Sequence, residues 1–522
     1  MARNIIQLLL LLLAQAGFAS DMTSGEVARV LAQAISRAQQ IEPKAVIAVV
    51  DGEGFVLGVW SVDGAPSANA VQDAITKAGT AAFLSSEQNA FTSRTAGFIV
   101  QQHFPPGIIN RPNGPLVGVN FSNLSFTDVN RFKNPQSGYV ADFTSGTNGA
   151  AIAGPAPLSG LAGSPGGVPL FRVGKLLGGV GVAGQTQAPA VSPFSALADI
   201  QTQSLQRSDP DEDVALAGQI GFQPNSQILG SNVLIDGFRV PYGVGGSRLG
   251  NVLPLGSIGS SVPPYAVVAS PVVAYPTNNF GGQVCEIRAP IIADPVGGAI
   301  NGQPRLTAAE VTTILSQASA RAKITRAGIR LPSGRAAQTF ITVVNNPASL
   351  NTAPAILGTI RTPDATLFSW DVAAQKARTA VFFSNATRAY SSRTVGFLAQ
   401  QFYPPGIAYT APGPFYSLQE QFSLLPAGVK NPLNGVLLTS ALTAPNPYLP
   451  NGITIFPGGF PLYRNGVMIG AIGVSGDGID QDDIIAAAGT VGFVAPPGIR
   501  ADQQLYKGAR LPYAKFPRNP DL

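Results

Sequence analysis

The chain has 522 residues, enough for two domains of ordinary size, each with its own core. Hydrophobic residues make up 45% and charged residues 12%, with 59 Gly and 44 Pro, the composition of a turn-rich globular protein with broad apolar faces of the kind that end in oligomer interfaces. A formal charge of +5 is mild for this length, and no Lys/Arg run is interleaved with aromatics, so nucleic acid is not an expected partner.

The first element is an address. One positive charge in Met1–Asn4, an apolar run over Ile5–Leu13 and small residues at Gly17–Ala19 predict a secretory signal peptide over 1–19, with the mature chain starting near Ser20. No later segment approaches the roughly 18 apolar residues of a membrane span. The expected location is therefore periplasmic or extracellular, without a membrane-spanning segment. The single Cys285 excludes an intrachain disulfide and thiolate metal clusters; a buried inert thiol is its expected role, with an intermolecular disulfide as the alternative.

Thr23-x-x-Glu26 is a capping box, and Val27, Val30, Leu31, Ala34, Ile35 and Ala38 behind it form one apolar stripe at helical spacing. A buried strand over 45–50 turns through Asp51-Gly-Glu-Gly54 into a second strand over 55–60. Helices are predicted around 70–83 and 94–102, the second stopped by Pro105-Pro106-Gly107. A hairpin over 168–182 follows, turning at Gly174. All of this then recurs. Thr80–Ile108 reads TAAFLSSEQNAFTSRTAGFIVQQHFPPGI and Thr379–Ile407 reads TAVFFSNATRAYSSRTVGFLAQQFYPPGI, a gapless match identical at over half of its positions. Thr307-x-x-Glu310 repeats the capping box, and 339–344 repeats the first strand. The hairpin returns over 460–474 with its turn at Asn465-Gly466, and Gly508-Ala-Arg-Leu-Pro-Tyr513 repeats Gly237-Phe-Arg-Val-Pro-Tyr242. A period this long means duplicated domains, not a solenoid. The expected organisation is a module over 23–250, a Gly/Pro-rich connector over 251–304 and a second module over 305–520. Each module reads as α+β, an antiparallel sheet flanked by helices.

The strand hairpin, the helical Lys77-Ala-Gly-Thr-Ala (Lys376-Ala-Arg-Thr-Ala) and the Gly-rich second hairpin together resemble the GlcG/HbpS-like haem-binding family. This family was formerly a domain of unknown function and is related to the C-terminal module of some cobalamin adenosyltransferases. The resemblance implies two tandem profilin-like α/β sandwich modules, homo-oligomers, and haem or a similar planar anionic ligand as the partner. The inserts over 110–160 and 185–209 have no counterpart in compact members.

Five residues are candidates for the site. His103 is the only histidine and the candidate iron ligand; its alternative is a polar residue at a helix end. Phe402 occupies the matching position, so imidazole ligation cannot occur in both copies. Arg94 and Arg393 fall in the first turn of a helix, where a cation opposes the helix dipole unless an anion is near; a bound propionate and a structural salt bridge are the two readings. Lys77 and Lys376 are the remaining candidates, with a solvated helix face as the other explanation. Arg239 and Arg510 read as anchors of the module ends. The run Gly178–Gly184 alternates like a strand and does not read as a dinucleotide loop. The acidic clusters at 209–213 and 477–483 read as charge at helix starts, with calcium as the lesser alternative.

A duplicated Ser/His/Asp triad is excluded by the histidine count, and no residues mark a catalytic acid, base or flavin site. The expected function is an exported haem (tetrapyrrole)-binding protein for capture, storage or sensing. The alternative is a structural, oligomeric interaction protein with a vestigial pocket.

Overall fold

The computed structural model describes residues 21–101, 161–184, 208–271, 274–349, 352–419 and 452–515, with Leu449 and part of 103–129. The expected signal peptide and most of both inserts lie outside the described residues. None of the described helices is long and apolar enough to cross a membrane.

Copy one opens with α1 (Ser24–Ile41), where Thr23 and Glu26 form the expected capping box and the predicted stripe is buried. Strands β1 (Val46–Asp51) and β2 (Val56–Ser61), helices α2 (Ala68–Phe83) and α3 (Ser93–Ile99), strands β3 (Gly167–Arg172) and β4 (Lys175–Ala183), and helix α4 (Pro210–Gln219) follow. The sheet is antiparallel, in the order β3-β4-β1-β2, and the short β5 (Ser260–Ser261) adds to its edge. Side chains alternate across it. Val46, Ala48 and Val50 point into the layer held by α2, whereas Ile47 and Val49 point into the layer of α1 and α4. Both faces are covered, so β1 is apolar throughout.

Copy two repeats the arrangement with α5 (Ala308–Ile324), β8 (Thr339–Asn345), β9 (Ile356–Arg361), α6 (Ser369–Phe382), α7 (Ser392–Leu398), β10 (Gly459–Arg464), β11 (Val467–Gly476) and α8 (Ile479–Gly489). Even the irregularities recur: a bulge at Val49/Val50 matches one at Val343/Val344, and one at Leu170/Phe171 matches one at Leu462/Tyr463. The turns Val173-Gly174 and Asn465-Gly466 both have positive φ at each residue, as a two-residue hairpin requires. The repeated glycines of the central hairpin strands have a packing cause. A Cβ on Gly181 or Gly473 would overlap the carbonyl oxygen of Ala74 or Ala373, so these glycines let a helix backbone rest directly on the strand.

The stretch expected as a connector is divided between the two sheets. Ser260–Ser261 pairs with β2 of copy one, while β6 (Thr277–Phe280) and β7 (Gln283–Ala289) extend the second sheet to the order β10-β11-β8-β9-β7-β6. Cys285 is buried there against Ser319.

The two copies share a core. Phe340, Phe368, Trp370 and Val372 of copy two pack in one cluster with Val46, Ile75, Phe83 and Val71 of copy one. Polar bonds cross the junction as well: the Phe368 N–H donates to the Phe83 carbonyl, and the Leu331 N–H to that of Gln88. His103 and Phe402, which occupy matching positions, stack with ring centroids 6.3 Å apart and planes 12° apart. Contact between matching residues is the mark of a local two-fold relation between the copies.

Candidate functional site

The site candidates are organised by the start of the last helix of each copy. Segments 209–244 and 480–515 correspond without a gap and make matching contacts, Ala90 pairing with Ile228 and Gly230 as Ala389 pairs with Ile499 and Ala501. In copy one the fully buried Arg94 donates from Nε and Nη2 to the two carboxylate oxygens of Glu212, at 2.7 and 2.9 Å. In copy two the counterpart acid is Asp483, one methylene shorter. Arg393 donates to it only through Nε, at 2.8 Å, and turns Nη2 to Asp480, at 2.6 Å. Its side chain keeps 19% exposure. The salt bridge is thus formed in both copies, and Arg393 also lines a cavity.

The lysines stand one residue away from these pairs. Lys77 is buried and donates to Asp211 at 2.8 Å and to the Val182 carbonyl at 3.0 Å; Lys376 donates to Asp482 and to the Val474 carbonyl, each at 2.8 Å. Neither lies on a solvated face. Burial pulls both amines toward neutrality, yet they move in opposite directions. Beside Lys77, Asp73 and Asp211 together outweigh burial and hold its pKa above the usual range. Val372 matches Asp73, so Lys376 has only Asp482 in contact, and burial prevails and lowers it. Burial in turn pushes Asp73 and Asp482 up to about 6.

His103 lies apart, at the junction between the copies. Its Nδ1 meets the Arg111 carbonyl at 3.0 Å, and the void it shares with Phe402 and Gln400 measures about 10 Å³, room for one water. Among the described residues no group of three or more His, Cys, Asp or Glu is placed to hold a metal ion.

The cavity beside Arg393 is of another order, about 780 Å³, in the size range of ligand pockets. Phe397, Phe460, Leu511 and Val494 give it apolar walls, and Arg393, Arg500, Arg510 and Lys515 give it cations, with Asp502 the one acid in the lining. Arg500 lies 5.4 Å from the Tyr513 ring centroid and donates from Nη2 to Asp502 at 2.7 Å. Burial drives the Tyr513 phenol pKa upward, so the hydroxyl stays protonated. Sequence reasoning singled out Arg393, and took Arg510 only as an anchor. It missed Arg500, Lys515 and Tyr513, although aligning 480–515 on 209–244 reveals the two added cations.

The family model described as haem degrading protein HbpS-like matches residues 22–190 and 348–490, more than half of the chain. The chain belongs to the HbpS-like family. The match falls in both copies of this HbpS-like chain and covers part of each, so the segment 491–515 that lines much of the cavity lies outside it. No curated protein matches it. Among solved structures, a crystal structure of a PduOC–haem complex is similar at 23% identity, covering 36% of this chain and 96% of that one, with a TM-score of 0.23. The crystal structure of HbpS is similar at 22% identity, covering 38% and 95%, with a TM-score of 0.21. Klebsiella pneumoniae ORFY is similar at 18% identity, covering 37% and 96%, with a TM-score of 0.23.

Proposed function

We propose that this HbpS-like protein binds haem, or a related planar tetrapyrrole with acid groups, outside the cytoplasm, for capture, storage or sensing. Family membership supports the ligand class, as does the haem bound by PduOC. The observation that carries the reading is the 780 Å³ cavity of copy two, where apolar walls face a set of four cations. A planar apolar ring gains by leaving water against Phe397, Phe460 and Leu511, while its carboxylates meet Arg393, Arg500, Arg510 and Lys515. The residues lining the cavity fit such a group as a carboxylate and ring site. They include no His, Cys or Met, and Tyr513 is held as the phenol, so binding here relies on the acid groups and the ring faces.

Export is supported by the charged, apolar and small-residue pattern over 1–19. Self-association belongs to the same reading, supported by the low charge of the chain. Hemin titration of residues 20–522, followed by absorbance, tests the ligand: a saturable, shifted Soret band is expected, and a merely additive spectrum would remove the haem reading. Expression of the full chain tests the rest. Product in the exported fraction, beginning near Ser20, is expected; an uncut product inside the cell would refute export.

A further inference from the structure

The two copies keep the same backbone around the last helix but fill it differently. Two positions that face the cavity in copy two carry smaller side chains than their partners in copy one, Ala487 for Leu216 and Thr490 for Gln219, and the buried acid that Arg393 binds is shortened from Glu212 to Asp483. In copy one each larger side chain has a structural task. The Gln219 amide spans the interval, donating to the Pro169 carbonyl at 2.5 Å and to the Tyr242 hydroxyl at 2.9 Å. Thr490 reaches neither counterpart and turns its hydroxyl back to the Ala487 carbonyl of its own helix, at 2.7 Å. Leu216 Cδ1 and the Glu212 carboxylate both lie 3.8 Å from where a Cβ on Gly243 would stand, so they support the segment 240–244 from below. The Val244 N–H closes it onto Glu212 at 2.9 Å. In copy two the matching segment 511–515 is still pinned, Lys515 N–H donating to Asp483 at 2.6 Å, but Ala487 leaves the space beneath it open.

The charges change in the same place. Leu229 and Val244 of copy one become Arg500 and Lys515, both lining the cavity. The walls are not uniformly smaller, since Phe460 stands where copy one has Val168, and Asp502 replaces Ser231 beside Arg500. A helix face cut back at 487 and 490 near two added cations fits a ligand that is bulky and anionic. We infer that the duplication has split the labour: copy two holds one planar anionic ligand per chain, and copy one, where Leu216, Gln219 and Glu212 take the matching positions, is the scaffold. The identity of the ligand rests on the haem reading; its chemistry and its place do not.

The test returns copy one's side chains to copy two. In the full mature chain, A487L/T490Q should weaken hemin binding by tenfold or more, and R500L by about threefold to tenfold with a flatter salt dependence. L216A/Q219T in copy one should leave hemin affinity within twofold, and wild type should saturate at one equivalent per chain. Circular dichroism and thermal melting check that each variant is folded; should A487L/T490Q fail that check, R500L at the rim decides. Two equivalents per chain, or unchanged hemin affinity in the folded copy-two variants, would overturn the inference while leaving haem binding intact. If hemin does not bind, anilinonaphthalene sulfonate, a smaller aromatic anion, replaces it. One equivalent lost in A487L/T490Q then upholds the site and removes haem, and no binding of either probe overturns the site as well.

Discussion

Replacing Arg288 by Met should cost about 3–5 kcal/mol of stability, because it removes the cation that two buried carboxylates share across the copies. Arg288 stands on β7 of the second sheet and is buried; its Nη1 and Nη2 each donate to Glu53 at 2.7 Å, and its Nε donates to Glu286 at 2.7 Å. Glu53 comes from the β1–β2 turn of copy one. The guanidinium also lies 3.6 Å from the Tyr275 ring centroid and 5.0 Å from that of Trp370. Burial disfavours its charge, but Glu53 and Glu286 outweigh burial and raise its pKa further. Met preserves most of the volume, so packing loss is minor, and the dominant cost is two buried carboxylates left with Arg361 at 3.5 and 3.6 Å. E53Q removes one of those charges and leaves Arg288 paired with Glu286, so its cost should be smaller, about 1–3 kcal/mol. In R288M/E53Q only one of the two carboxylates that Arg288 served, Glu286, is left to Arg361, and the combined loss should fall short of the sum by on the order of 1–3 kcal/mol. Urea unfolding followed by tryptophan fluorescence is the assay, since Trp370 is one of only two tryptophans and sits in this cluster. A loss below about 1 kcal/mol in R288M, or strict additivity in the double variant, would refute the argument that this network joins the copies.

Three further outcomes follow from the geometry. Asp73 has a folded pKa of about 6, above the 3.8 of an unperturbed Asp, so the folded state holds its proton more tightly than the unfolded chain. Its contribution is therefore fully present below pH 4 and lost as pH rises through 6; the stability of wild type relative to D73N should fall by about 2–3 kcal/mol between pH 4 and pH 7 in urea titrations, and a rise over that window would reverse the assignment. G473A should destabilise by at least about 1–3 kcal/mol or yield insoluble protein, because the added methyl overlaps the Ala373 carbonyl, and a normal melting temperature would show that α6 can shift away. T23A and T307A each remove the hydroxyl that accepts the Glu26 or Glu310 N–H, and should each cost about 1 kcal/mol, adding in the double variant because the two caps are separate.

Much of the fold is legible in the chain because local rules and duplication agree. Capping boxes at Thr23 and Thr307, apolar strands at 46–51 and 339–345, and the turn Asn465-Gly466 each follow from short-range chemistry, and each appears twice or has a counterpart. The edge strands were harder. β7 alternates over Cys285, Glu286, Ile287, Arg288 and Ala289, yet it sits in Gly- and Pro-rich surroundings that read as a connector, and its pairing with β9 and β6 makes it a strand. For the site, the cations were visible and their partners were not. Arg94 and Glu212 are 118 residues apart, and the acidic clusters have an adequate local explanation at a helix start, so nothing short-range joins the two. The cavity is less legible still, since the smaller side chains at 487 and 490 belong to no motif.

Fusion of the copies bears directly on that cavity. In a homodimer every substitution enters both subunits, so opening one pocket opens the other and removes the same packing twice. Within one chain the copies can differ, and the junction already displays this, where His103 faces Phe402 at the matching position. The energetic consequence favours keeping one copy closed. Gln219, Leu216 and Glu212 retain their contacts in copy one, whose α2 and sheet share a core with Phe340 and Trp370 of copy two, so a well-packed copy can support an open one. Enlarging the space under 511–515 removes apolar contact from copy two alone, and the shared core limits how much of that loss reaches the whole chain.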